Sequence, residues 1–191
     1  NADGSTSPYE INVTYMDALN KKEDDDSTRL RRFLLAHALL LAFPGVPAIY
    51  VQSILGSRND VEGVKAAGYN RAINRQKYAV SDIEQALMEK DSLRQRVYYA
   101  LSQLIQVRIQ QSAFHPDNPM SILDSDNALL VMKRQARDEQ ESLLCVFNLS
   151  SKAVSMTLPE ARWYRDVASG DRIDGRQALL LDAWAYRWLK A

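Results

Sequence analysis

The chain has 191 residues, with 24 lysines plus arginines against 24 aspartates plus glutamates, and 46% of it is hydrophobic. A formal charge of zero lacks the basic surplus of a nucleic-acid binder, and the apolar fraction is too high for disorder. A single cysteine, Cys145, rules out an internal disulfide, and with only two histidines a zinc site has too few ligands.

Residues 1–10, "NADGSTSPYE", are polar and lack the basic-then-apolar order of a signal peptide. With no initiator Met, the chain reads as one that begins inside a longer protein. No apolar run reaches about 18 residues, so no membrane span is expected. Cysteine usage fits the cytoplasm. The sequons at Asn12 and Asn148 are read as chance.

The acidic run "KKEDDD" reads as a solvated loop ahead of a helix. Asp or Ser before "TRLRRFLLAHALLLAF" supplies an N-cap. Leu30, Phe33, Leu34, Ala38 and Leu41 recur at helical spacing, and Pro44-Gly45 must end the helix. "VPAIYVQ" then predicts a strand buried on both faces, as in a parallel sheet. Residues 81–112 read as helix, opened by a Ser81-x-x-Glu84 capping box. From residue 113 the apolar runs shorten: "ALLVMKRQ", "SLLCVFNL", "AVSMTL", "RWYRDV" and "ALLLDAWAYRWLK". Turn clusters separate them, which predicts a small antiparallel sheet.

The expected fold class is therefore α/β, with residues 1–112 as one unit and residues 113–191 as a C-terminal all-β domain. A lone parallel strand cannot cover its own faces. Residues 1–112 are accordingly read as the last part of a larger sheet or (β/α)8 barrel.

Few chemical motifs are present. There is no Gly-rich phosphate loop, H-E-x-x-H, G-x-S-x-G or C-x-x-C. His37 within the apolar helix and His115 in "AFHPDNP" are read as structural. Cys145 in "SLLCVFNL" is read as a buried hydrophobe. The segment "GYNRAINRQKY" holds two Asn-Arg pairs, Asn70-Arg71 and Asn74-Arg75. If it is helical, Arg71 and Arg75 share a face. Planar guanidinium forks suit carboxylates, phosphates and vicinal hydroxyls. The plainer alternative is surface pairing with nearby Asp60.

"PGVPAIYVQSILGSRND" followed by "GYNRAINRQKY" resembles the eighth strand and following loop of sucrose phosphorylase-like enzymes of glycoside hydrolase family 13, in the α-amylase superfamily. "SPYEINVTYMDAL" resembles the active-site loop before their seventh barrel helix. The resemblance runs in order over residues 7–112. It implies the C-terminal part of a TIM barrel followed by a small antiparallel β domain. It also implies retaining glucosyl transfer to phosphate through an Asp nucleophile and a Glu acid/base, giving α-glucose 1-phosphate. Those carboxylates lie on earlier strands in the family, so none of the catalytic residues is expected in this chain.

By the same resemblance, Arg71 matches the arginine that helps hold the glucosyl unit. Tyr9 matches the tyrosine of the mobile acceptor loop. Glu10 stands where sucrose phosphorylases carry Gln, Ser7 where they carry Asp, and Asn70 where they carry Gly. Asn70, Asn74 and Arg75 are expected to support Arg71 from behind, Arg75 by pairing with a barrel carboxylate. "PYEINVTY" and "SILGSRND" are nearer the glucosylglycerate phosphorylase branch. Glu10 would repel an anionic acceptor unless protonated or paired with an arginine.

The implied partners are a small sugar substrate, inorganic phosphate as substrate, and the upstream part of the same enzyme, as a second chain if the protein is nicked. A homodimer is allowed for; no metal, cofactor, nucleic acid or membrane is expected. Two other readings stand beside this one: a hydrolase or transglucosylase on the same fold, or a non-catalytic fragment or binding module that docks on a partner. A family barrel needs about 250 residues, which favours the last reading if the chain is taken literally.

Overall fold

A computed structural model of the chain describes residues 3–191. Six α-helices come first: α1 (Tyr15–Leu19), α2 (Asp26–Ala42), α3 (Val51–Ile54), α4 (Val61–Ala67), α5 (Val80–Met88) and α6 (Leu93–Ile109). Short 3-10 turns occupy Asn70–Asn74 and Ser112–Phe114. Eight strands follow: β1 (Met120–Leu123), β2 (Leu129–Gln135), β3 (Ser142–Asn148), β4 (Val154–Met156), β5 (Trp163–Asp166), β6 (Arg172–Asp174), β7 (Leu179–Leu181) and β8 (Tyr186–Lys190).

Helix α2 starts where its caps dictate. The Asp25 side chain accepts from the Thr28 amide at 2.6 Å, and Asp26 adds negative charge at the positive helix end. Helix α6 is capped by Ser92, which accepts from the Gln95 amide at 3.1 Å. The expected single helix over residues 81–112 is thus two, broken at residues 89–92. Asp91 takes a positive φ of 63° at the break. The Ser81 capping box is unused: the cap position of α5 is Ala79, with no side-chain cap bond.

The strands form a six-stranded antiparallel sheet in the order β1-β2-β3-β8-β5-β6, beside a separate β4-β7 ribbon. Strand β8 is therefore central, inserted between β3 and β5. Strand β3 is buried along nearly its whole length because both faces are covered. Leu143, Cys145 and Phe147 pack with the helices, whereas Leu144 and Val146 pack with Leu179 and Leu181 of the ribbon. That explains the unbroken apolar run "SLLCVFN". Burial pushes the Cys145 thiol far above its ordinary pKa, so it acts as a small hydrophobe. Asn148 is fully buried, its amide donating to the Lys152 and Asp182 carbonyls at 2.7 and 2.8 Å, so its sequon is no surface acceptor.

One core joins helices to sheet. Phe33 and Leu41 of α2, Val97 and Leu101 of α6, and Phe114 meet Met132, Phe147 and Trp188. Phe114 stacks edge-on against Trp188 with centroids 4.8 Å apart. Full burial of each such side chain contributes about 1.5–3 kcal/mol.

The predicted buried strand at residues 46–52 does not form. Residues 46–50 make no strand, residues 51–54 are α3, and Val46, Tyr50 and Val51 are 84%, 53% and 57% exposed. A strand needs neighbours for its amides, and every strand pair among the described residues lies beyond residue 119. Gln52 alone of these is buried, its Nε2 donating to the Gln76 carbonyl at 2.8 Å.

Where α2 ends, its carbonyls would be orphaned. Two buried arginines take them. Arg108 of α6 donates Nε to the Leu41 carbonyl at 2.8 Å and Nη2 to that of Gly45 at 3.1 Å. Arg134 of β2, fully buried, donates Nη1 to the Ala42 carbonyl at 2.6 Å and Nη2 to that of His115 at 2.9 Å. Burial pushes both guanidinium pKa values below their ordinary range. Replacing Arg134 by Met leaves several carbonyls buried without donors. It should cost about 2 kcal/mol or more, lowering Tm by roughly 4–8 °C. Circular-dichroism melts check this, and an unchanged Tm would show that water satisfies the carbonyls instead.

Candidate functional site

The site is built on loops that the two N-terminal helices and α4 hold together. The Asn59 side chain accepts from the Thr14 amide at 2.7 Å, and Thr14 in turn caps α1. Asp17 of α1 returns the contact, accepting from the Asn59 amide at 2.6 Å and from Arg58 Nε. Asp60 caps α4 through the Gly63 amide at 2.8 Å. Gly63 suits this closely: a Cβ there would lie 2.1 Å from Asp60 Oδ2. The Asp60 amide also donates to the Ile73 carbonyl at 2.8 Å, tying the Asn-Arg segment to the same knot.

That segment is a 3-10 turn, not the α-helix expected, and Arg75 falls at its C-cap with φ −130° and ψ 33°, outside the helical region. Arg71 and Arg75 therefore do not share a helical face. Nor does Arg71 pair with Asp60, which is spent on capping. Its fork closes instead on Glu10, 61 residues away: Nε donates to Oε1 and Nη2 to Oε2, each at 2.7 Å. This bidentate pairing is the geometry for which a guanidinium is suited. The Arg71 hydrogen bond holds the Glu10 carboxyl below its ordinary range, with a smaller contribution from the field of Arg75, and Glu10 in turn raises Arg71.

The other expected site residues divide. Tyr9 lies beside the pair, interacts with Arg71, and is 88% exposed. Asn74 donates to the Val13 carbonyl at 3.4 Å, which ties the segment to the residue 9–14 loop. Asn70 is exposed, and its side chain has no hydrogen bond among the described residues. Arg75 finds no carboxylate to pair with among the described residues, and its field contributes to lowering the Glu10 pKa.

Next to the Val13–Asn74 contact opens a cleft of about 450 Å³. Tyr15, His37, Tyr50, Gln52, Ser57 and Asn74 line it. His37 is buried and its Nδ1 bonds the Phe33 carbonyl at 2.8 Å; desolvation depresses its pKa, with the carbonyl contact opposing. It is thus a neutral structural ring, as read from sequence. Ser57 bonds the Tyr78 hydroxyl at 2.9 Å. Sequence reasoning missed Gln52 and Ser57; the one signal was a glutamine closing the apolar run "VPAIYVQ". Among the described residues no group of three His, Cys, Asp or Glu side chains could hold a metal ion, and no helix is long and apolar enough to cross a membrane.

No family model matches the chain. It is 46% identical over 190 residues to a glucosylglycerate phosphorylase of Escherichia coli, covering 100% of this chain and 34% of that protein. It is 32% identical over 196 residues to a glucosylglycerate phosphorylase of Spirochaeta thermophila, covering 95% and 33%. A sucrose phosphorylase of Agrobacterium vitis is 31% identical over 147 residues, covering 77% and 27%. The chain thus spans about a third of the length of the curated relatives it matches. Among solved structures, the pullulanase of Bacillus acidopullulyticus superposes with a TM-score of 0.70 at 18% identity, over 94% of this chain and 23% of that one.

The pairing of Glu10 with Arg71 has a direct readout. In an NMR pH titration the Glu10 carboxyl should show a midpoint below the ordinary 4.5. Because the folded pKa is depressed, the pair holds through neutral pH and is lost as pH falls through that lowered midpoint. An unshifted midpoint would mean that the loop does not rest on Arg71.

Proposed function

Because the chain belongs to the sucrose phosphorylase-like group of glycoside hydrolase family 13, as its C-terminal portion, we propose that it serves a retaining glycoside phosphorylase acting on a glucosylglycerate-like α-glucoside. An upstream Asp displaces the aglycone from the anomeric carbon while an upstream Glu protonates the departing oxygen. A phosphate oxygen then attacks the same carbon, the Asp leaves, and the Glu takes up the proton. The products are the free acceptor and α-glucose 1-phosphate. No cofactor enters this scheme. Arg71 contacts the glucosyl unit, and Tyr9 and Glu10 face the acceptor and phosphate.

The observation that carries this reading is the Glu10–Arg71 fork with Arg75 beside it. A bare Glu10 carboxylate would repel glycerate. Bound by Arg71 it is neutralised, and the field of Arg75 remains uncompensated by any ion pair among the described residues. The loop is then net positive, which favours an anionic acceptor over fructose. The relatives named as glucosylglycerate phosphorylases support the same acceptor.

The catalytic carboxylates come from the upstream portion of the protein in this proposal, and that portion covers an apolar surface left open here. Val46 is 84% exposed, and Phe43, Tyr50 and Val51 are exposed as well. Such a patch matches the missing neighbours of a barrel strand.

The test uses the full-length protein. Glucosylglycerate should release glucose 1-phosphate only when inorganic phosphate is present, and faster than sucrose does. Equal turnover without phosphate would assign hydrolysis or transglucosylation instead. Arg71→Ala should lower turnover by about 10²-fold with an unchanged melting profile; kinetics like the parent's would remove Arg71 from the site.

A further inference from the structure

Strands β5 and β6 extend the sheet beyond its helical cover. Their register sets Arg172 of β6 opposite Arg165 of β5, and Arg165 opposite Lys190 of β8. Three cations thus stand in one lateral row across three neighbouring strands, on one face of the sheet. Directly opposed side chains have Cβ atoms about 5 Å apart, and like charges in such pairs destabilise a sheet.

Neutralisation within the row is partial. Lys190 pairs with Glu141. Arg165 and Arg172 have no carboxylate partner among the described residues. Arg172 instead lies over the exposed Trp163 ring at 4.8 Å from its centroid. Arg176 approaches the same ring at 5.4 Å, and its own charge is met by Asp174 at 2.8 Å. A guanidinium stacked on an indole is held in plane with its N–H edge directed outward. The row lines a cleft of about 570 Å³ together with Gln110 and Gln111 past the end of α6 and with Ala191. The carbonyl end of α6 offsets only about half a charge.

We propose that this cleft binds the phosphoryl group of a sugar phosphate. Two planar forks in one row match a dianion better than a single carboxylate. The amides of Gln110 and Gln111 offer donors and acceptors for sugar hydroxyls. A polyanion is a poorer match, because the row is short, is flanked by Glu141 and Asp174, and sits in a chain of zero net charge. The inference is independent of the roles given to Tyr9, Glu10 and Arg71.

The probe is glucose 6-phosphate, titrated calorimetrically into the full-length protein at low salt. Inorganic phosphate and glucose are run beside it. Binding should weaken at least tenfold in the R165Q/R172Q double variant, persist in Arg71→Ala, and in that Arg71→Ala protein be absent for glucose. Inorganic phosphate should compete. R165K/R172K, which keeps charge but loses the forks, should fall between. Because removal of opposed like charges leaves the core untouched, the ligand-free double variant should melt no lower than the parent. Equal affinity in parent and double variant overturns the proposal. So does loss of binding in Arg71→Ala, or equal binding of glucose by that variant.

Discussion

The C-terminal end of α2 is where the molecule is joined. Its last carbonyls point away from solvent, toward α6 and the sheet, and they need donors. Arg108 comes from the neighbouring helix and Arg134 from a strand 92 residues after Ala42. Between them they fasten three structural layers through one helix end. The apolar core can then close over Phe33, Leu101 and Trp188 without leaving polar backbone unpaired. The turn at Gly45, with φ of 95° and its amide bonded to Pro116, completes the fit.

The same dependence places the candidate site. After α2 the chain returns to α1, where residues 58 and 59 bond Asp17 and Thr14. There the reciprocal Thr14–Asn59 and Asp17–Asn59 bonds bring residues 9–14 against residues 58–74. Glu10 meets Arg71 because of this scaffold, not because of any local preference of either residue. The pairing is partly exposed, with 45% and 34% of the two side chains open to solvent.

What the sequence discloses follows the range of the physics. Helix α2 was legible from Asp25, the apolar period and Pro44-Gly45, all local signals. Strands β2, β3, β5 and β8 were legible from short alternating or doubly buried runs such as "LLCVFN", whereas β1 (Met120–Leu123) was not. Strand β6 was hidden inside a turn cluster, because Arg172–Asp174 becomes a strand only against β5. Residues 46–50 carry strand composition yet form none, for the same reason in reverse. That Glu10 would need an arginine could be argued from charge, but which one could not, since nothing at Glu10 marks a residue 61 positions on. Zero net charge likewise concealed how unevenly the charges lie, with arginines aligned across β5 and β6.

Strand β8 also sets the order in which the sheet can be assembled during synthesis. The hairpins from β1 to β3 can pair as soon as they leave the ribosome. Strands β5 and β6 cannot join them, because the slot between β3 and β5 belongs to residues 186–190. Until those emerge, β3 keeps an open edge and Trp188 is missing from the core. Completion of this half of the molecule therefore waits on its latest-made strand, and a nascent chain stalled before residue 186 would present that edge to its neighbours on the polysome.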